Sequence, residues 1–149
     1  MRPSAVARFQ RFFRVAGGVD VDKDDLKRYE DFVDHKVYDL LLIAQAHAKA
    51  NARDVVAPPD LPITKGLQES IHAFRALDDE VELAPILERL AKRPPLDLTI
   101  AEDTEQALPE IVGGLTIALA RTFKIIDPER RNPGTRHWER ATAIFDLLL

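Results

Sequence analysis

Residues 52 to 61 read ARDVVAPPDL, and they follow a stretch from Lys23 to Asn51 that contains neither Gly nor Pro. Within that stretch Leu26, Tyr29, Val33, Val37, Leu40, Ile43 or Ala44 and Ala48 recur at steps of three and four, the period of one helix face. The implied helix has about 29 residues and runs roughly 43 Å at 1.5 Å per residue. No small domain buries such a rod alone, so a second helix of similar length is required. Arg53 and Asp60 then stand on either side of Val55-Val56 and Pro58-Pro59. A cation at a helix C-terminus and an anion in the first turn of the next helix are each favoured by the helix dipoles. An extended Val pair lets the chain reverse between them, so the two charges can meet as a clamp. The alternative is two solvated charges.

The required partner lies further along the chain. Before the first rod, a short helix fits from about Ser4 to Ala16 and ends at Gly17-Gly18, with Asp22 placed to cap the long helix and Asp24 and Asp25 in its first turn. After Pro58-Pro59 a third helix runs to about Leu77. A new cycle follows: a short helix from about Asp79 to Lys92, a stop at Pro94-Pro95, and a second long helix to about Ile126. Thr99 and Glu102 form a capping-box pattern at the start of that helix. Pro109 and Gly113-Gly114 lie inside it and predict a bend or a close helix crossing. A last helix covers about Thr135 to Leu149. The order is short, long, short, twice over, an internal duplication of architecture.

Composition sets the outer limits. The chain has 149 residues, 46% apolar, enough for one globular unit with a core of its own. There is no apolar run long enough to span a bilayer, and the arginines of the N-terminus are interleaved with apolar residues, unlike a signal peptide. A soluble protein without a membrane partner, located in the cytoplasm, is the expectation. The absence of Cys removes disulfides, thiolate metal sites and cysteine nucleophiles. Two Asn, four Gln and one Met, with 14 Arg to 7 Lys and 10 Pro, lean toward a heat-tolerant source. The formal charge of -4 hides basic areas at residues 1–19 and 129–140.

A long central helix flanked by two short ones is the layout of the histone fold. The first half resembles an archaeal histone in two places: RFFRVAGGVDVDKDDL (11–26), with basic residues around an apolar pair, then Ala-Gly and an Asp-Asp at the start of the central helix, and AKANARDVVAPPDL (48–61), where that helix ends. The resemblance assigns Arg53 and Asp60 to the ion pair that clamps the second loop in such proteins. The whole chain is similar to a bacterial family of histone-fold doublets of unknown function. It implies an all-α protein with a first histone fold over 1–77 and a second over 78–149, paired internally as a pseudo-dimer and forming one globular unit.

The resemblance also locates DNA-facing positions, and there the chain departs from the pattern. Asp20 stands on or near the first loop's groove-inserting Arg, Asp54 replaces the second loop's Lys, and Val55 replaces its Thr. An acid facing phosphate is a penalty as well as a loss. The leading expectation is therefore a non-enzymatic protein-association module, pairing with itself or another protein, that does not compact DNA. The alternative is a nucleoid-associated protein contacting phosphates through Arg130, Arg131, Arg136 and Arg140 with Arg8, Arg11 and Arg14 of the first helix. Paired internally, the 130–140 segment should lie beside Asp20. A solvated loop, with its arginines on nearby acids such as Glu129 and Asp127, is the plainer reading.

Sites for chemistry are not apparent. Asp31, His35 and Asp39 share a helix face but read as a solvated stripe alternating with Lys27, Arg28 and Lys36, so no metal and no cofactor is expected. Ser70 and His72 point in different directions and form no nucleophile-base pair. Gly113-Gly114 has no following Lys-Ser or Lys-Thr for a phosphate loop. His47 reads as a packed or rim histidine and Trp138 as core rather than a base-stacking platform. The apolar IFDLLL at 144–149 either completes the core or offers a surface to a second copy. No enzyme and no small-molecule substrate are inferred.

Overall fold

The computed structural model describes residues 4–81 and 96–149, and the short helix expected near 79–92 lies outside them for nearly all its length. Five helices carry the fold among the described residues: α1 (Ser4–Gly17), α2 (Lys23–Ala50), α3 (Lys65–Val81), α4 (Glu102–Ile126) and α5 (Thr135–Leu148). Two short segments, β1 (Val55–Val56) and β2 (Thr99–Ile100), pair in parallel, with Val55 opposite Thr99 and Val56 opposite Ile100. The all-α class read from the sequence is the class observed.

The two long helices start in different ways. For α2, Asp22 accepts the backbone N–H groups of Asp24 and Asp25, at 2.9 and 3.2 Å. Asp25 in turn accepts the N–H of Asp22 at 3.1 Å, a capping box built from two aspartates. The start of α4 departs from its Thr99–Glu102 pattern. Thr99 is held in β2, Ala101 occupies the N-cap with no side-chain cap, and the helix begins at Glu102. Pairing with Val55 competes with the capping box and wins. The third helix also begins later than Pro58-Pro59 suggested. Those prolines form a single 3-10 turn, Pro58–Asp60, and α3 starts at Lys65.

Gly18 takes a left-handed φ of 67°, and its N–H donates to Arg14 O at 2.9 Å, closing α1. The Gly113-Gly114 pair gives the close crossing that the sequence predicts. A side chain at Gly113 would overlap the ring of Phe74, and one at Gly114 would overlap Ile71, so α3 lies directly on the backbone of α4. The helix continues through Pro109.

One core joins the two halves. Phe9, Phe12, Phe13, Val19, Tyr29, Phe32, Val33 and Leu41 pack in the same apolar cluster as Ile111, Leu115, Leu119, Phe123, Trp138 and Phe145. Phe13 of α1 meets Tyr29 of α2 edge-on at 5.4 Å, and Phe32 of α2 meets Phe145 of α5 edge-on at 4.9 Å. Where the long helices meet, the Tyr29 hydroxyl donates to Thr116 Oγ1 at 2.7 Å, and the Thr116 hydroxyl donates to Val112 O, also at 2.7 Å. Burial pushes the Tyr29 phenol well above its ordinary pKa.

Candidate functional site

The loops of one half meet those of the other at two ends of the fold. At one end, the loop after α2 is bound to the start of α4. Besides the β1–β2 pairing, Ala101 N donates to Val56 O at 3.0 Å and the buried Thr104 hydroxyl donates to the same oxygen at 2.8 Å. Arg53 and Asp60 meet there as the clamp read from the sequence. The guanidinium grips both carboxylate oxygens, at 2.5 and 2.6 Å, and Asp60 also accepts the N–H of Ala57 at 2.8 Å. His47 contributes a bond of 2.8 Å from Nδ1 to Asp60 O, as a rim histidine. The Asp60 carboxyl is buried, and Arg53, followed by the Ala57 N–H, lowers its pKa to about 2. With Arg53 occupied, the outer surface of this end carries exposed Asp54, Val55, Glu102 and Asp103, while Lys49 is paired to Asp97 at 3.1 Å. This end is acidic.

The opposite end joins the loop after α1 to the loop after α4. Asp20 N donates to Arg131 O at 2.7 Å, so the 130–140 segment does begin beside Asp20. The Asp20 carboxylate lies between two cations, Arg14 Nε at 3.6 Å and Arg131 Nε at 3.4 Å. Lys124 packs beside Gly18 on the same loop, and its ammonium reaches Arg130 O at 3.5 Å. Arg130 turns back on its own loop, donating from Nε to Asn132 O at 2.6 Å. Among the described residues, two guanidiniums therefore flank one acid, with Lys124 on the same loop-to-loop contact.

A second clamp sits at this basic end. Gly134 N donates to His137 Nδ1 at 3.0 Å, which leaves the ring proton on Nε2, aimed at Asp127 Oδ2 at 3.2 Å. The arrangement repeats that of Arg53, Asp60 and Ala57 with the order of acid and base exchanged. Asp127 pairs with His137, not with an arginine as the plainer reading of this loop expects. Sequence inspection misses this clamp because an acid takes the place of the base.

Two other links cross from half to half. The buried Asp25 accepts Trp138 Nε1 at 3.1 Å and Arg28 Nη1 at 3.2 Å, while Arg28 Nη2 donates to Thr135 Oγ1 at 2.6 Å. Trp138 is therefore core. Lys36, assigned from sequence to the solvated stripe, is instead 1% exposed; its ammonium lies between Asp39 at 3.2 Å and Asp146 of α5. The stripe rule fails there because α5 packs over that part of α2. Asp31 is paired with Lys27 at 2.9 Å, and among the described residues no three His, Cys, Asp or Glu converge as metal ligands.

The remaining basic candidates are dispersed. Arg8 and Arg11 are exposed on α1 at three-residue steps before Arg14, and Arg136 and Arg140 are exposed on α5. None of these four has a side-chain partner among the described residues, and no contact connects Arg136 or Arg140 to the Asp20 cluster. Between α3, α4 and α5 a cleft of about 460 Å³ opens, lined by Leu67, Ser70, Ala118, Thr122, Phe145 and Leu148 among others. Of the residues that line it, Leu148 is 71% and Ile144 40% exposed. Among the described residues no helix is long and apolar enough to cross a membrane.

The chain belongs to a family described as a domain of unknown function, DUF1931, whose model matches residues 9–146. It is similar to a crystal structure of a protein from Thermus thermophilus, at 54% identity over 97% of each chain with a TM-score of 0.85. It is also similar to the crystal structure of protein AQ328 from Aquifex aeolicus, at 27% identity over 100% of this chain and 98% of that one, again with a TM-score of 0.85. A curated relative from Aquifex aeolicus (strain VF5), an uncharacterized protein, is 28% identical over 98% of this chain and 85% of its own length.

Proposed function

We propose that the chain is a pair of histone folds on one polypeptide and acts without chemistry, as a protein-association module that joins a second copy of itself and does not compact DNA. Support for the paired fold comes from the meeting of the long helices at Tyr29 and Thr116, the loop-to-loop bonds at both ends, and the clamp repeated with acid and base in exchanged order. The observation that carries the function is the apolar cleft with Ile144 and Leu148 standing exposed in its lining. Cleft and side chains lie on one face, so a two-fold arrangement lets each copy fill the other's cleft with the same residues. Compaction of DNA is opposed by the acidic end, where Asp54 and Asp103 would face phosphate.

Sedimentation velocity over a concentration series tests the association. A dimer at tens of micromolar that becomes a monomer on Leu148→Glu is the expected result. A wild-type protein that stays monomeric at about 100 µM removes the reading.

A second reading is favoured by the basic end. Phosphate contact through Arg14, Arg130 and Arg131, extended along α1 by Arg11 and Arg8 and aided by Arg136 and Arg140, makes the protein a one-ended nucleic-acid binder. Its signature is binding to a random-sequence duplex that weakens steeply between about 50 and 200 mM salt.

A further inference from the structure

The carboxylate of Asp20 is oddly placed for a solvated loop acid. It is held from both sides, by Arg14 at 3.6 Å and Arg131 at 3.4 Å, and its own backbone N–H is tied to Arg131 O at 2.7 Å. The left-handed turn at Gly18 brings the loop back over α4, beside Lys124. Lys124 in turn reaches Arg130 O at 3.5 Å. Two separate segments thus deliver guanidiniums to one carboxylate, a third brings Lys124 beside the same turn, and the anion held there is the chain's own.

We infer that Asp20 is a built-in counterion that occupies an anion site formed by Arg14 and Arg131, with Lys124 beside the same loop, and that it decides whether this end grips the phosphodiester backbone of nucleic acid. The inference rests on the second reading above and adds to it the residue that holds binding down. A linear polyanion fits better than a single phosphate, because Arg8 and Arg11 continue the basic surface from Arg14 along α1 at three-residue steps. The charge balance is simple. With Asp20 present, its one negative charge is shared by two guanidiniums, and a phosphate entering the site must displace the carboxylate or sit beside it. With a neutral residue at position 20, both guanidiniums are available. The exposure of Arg14 and Arg131 side chains, 60% and 67%, leaves them free to turn outward.

Fluorescence anisotropy of a labelled random-sequence duplex, titrated with the full chain at several salt concentrations, tests this with three proteins: wild type, Asp20→Asn, and Asp20→Asn with Arg131→Ala. Circular dichroism of each shows whether it is folded, and Asp20→Ser replaces Asp20→Asn if that variant is not. The expected result is about tenfold tighter binding by Asp20→Asn at low salt. The slope of log affinity against log salt should steepen by about 1 to 2, the effect of one or two added phosphate contacts, and the double variant should lose both gains. Salt-sensitive wild-type binding that Asp20→Asn leaves unchanged overturns the counterion role while leaving the second reading intact. No duplex binding by any of the three overturns both. Binding of phosphatidylserine vesicles by Asp20→Asn, without binding of the duplex, overturns the assignment to nucleic acid.

Discussion

The backbone N–H of Arg53 reaches back to the carbonyl of Ala48 at 2.9 Å, and to close that bond Ala52 adopts a left-handed φ of 57°. With the bond from Ala52 N to Lys49 O at 3.0 Å, this is the double-bonded helix end in which the left-handed residue is ordinarily Gly. Here the side chain of Ala imposes a steric penalty at the point that aims Arg53 toward Asp60. Ala52→Gly should therefore raise stability by about 0.5 to 1 kcal/mol, after the greater freedom of Gly in the unfolded chain is subtracted. In a domain of this size that is a rise in melting temperature of roughly 1 to 4 °C, read by differential scanning calorimetry. A lower melting temperature would show that the φ is not strained in solution.

The clamp itself predicts a pH dependence. Asp60 titrates at about 2 in the folded chain, against 3.8 for an ordinary Asp side chain. Its pairing stabilises the fold fully above the unfolded value and is lost as pH falls from about 4 toward 2. Melting curves between pH 2 and pH 7 should show wild type losing stability in that window. Asp60→Asn should already melt lower at neutral pH, by roughly 5 °C or more, and should fall less steeply on acidification. Parallel curves for the two proteins would mean that other carboxylates dominate the acid transition. Arg53→Ala should resemble Asp60→Asn at neutral pH, because each leaves the partner alone.

Buried Lys36 gives a different kind of test. Its ammonium is compensated by Asp39 on its own helix and by Asp146 on α5, and Asp146 is itself 55% exposed. Removing Asp146 leaves half the compensation and some access of water, so Asp146→Ala should cost about 1 to 2 kcal/mol. Lys36→Met keeps the apolar stem and removes the charge that needs a partner, and should be close to neutral. Chemical denaturation of the two variants separates the possibilities. If Lys36→Met is the more damaging, the ion pair contributes net stability rather than orientation.

The elements legible in the sequence are those set by local chemistry. Gly18, the Asp22 cap, the uninterrupted apolar face of α2 and the Arg53–Asp60 spacing each act within a few residues, and each appears as read. The readings that fail depend on distant segments. Thr99 leaves its cap position because Val55 pairs with it, Lys36 leaves the solvent because α5 covers it, and α3 begins late because the Pro58–Asp60 turn is held by Arg53 and His47. At the candidate site the same division holds. Internal pairing predicts that Asp20 and the 130–140 segment are neighbours, whereas Lys124 escapes notice because only the turn at Gly18 brings α4 beside that loop. The Asp127–His137 clamp is invisible because its acid precedes its base, the reverse of the first.

The single Trp of the chain offers a direct measure of whether the two halves unfold together. Trp138 belongs to the second half, is buried, and touches Phe123 at 4.9 Å and Phe13 of α1 at 6.4 Å. Its Nε1–H is bound to Asp25, at the start of α2 in the first half. If one core holds both halves, as the shared cluster of Phe9, Phe13, Tyr29, Phe123 and Trp138 implies, the Trp emission and the far-UV ellipticity should give coincident denaturation curves. Two separate transitions would mean that the halves are independent folds that merely touch. Trp138→Phe keeps most of the apolar area but removes one donor from a buried carboxylate. It should lower stability by about 1 to 3 kcal/mol, and Asp25→Ala in the same background should then have less effect than it has alone. Such non-additivity is specific to the cross-half bond, because simple loss of packing at position 138 would leave the effect of Asp25→Ala unchanged.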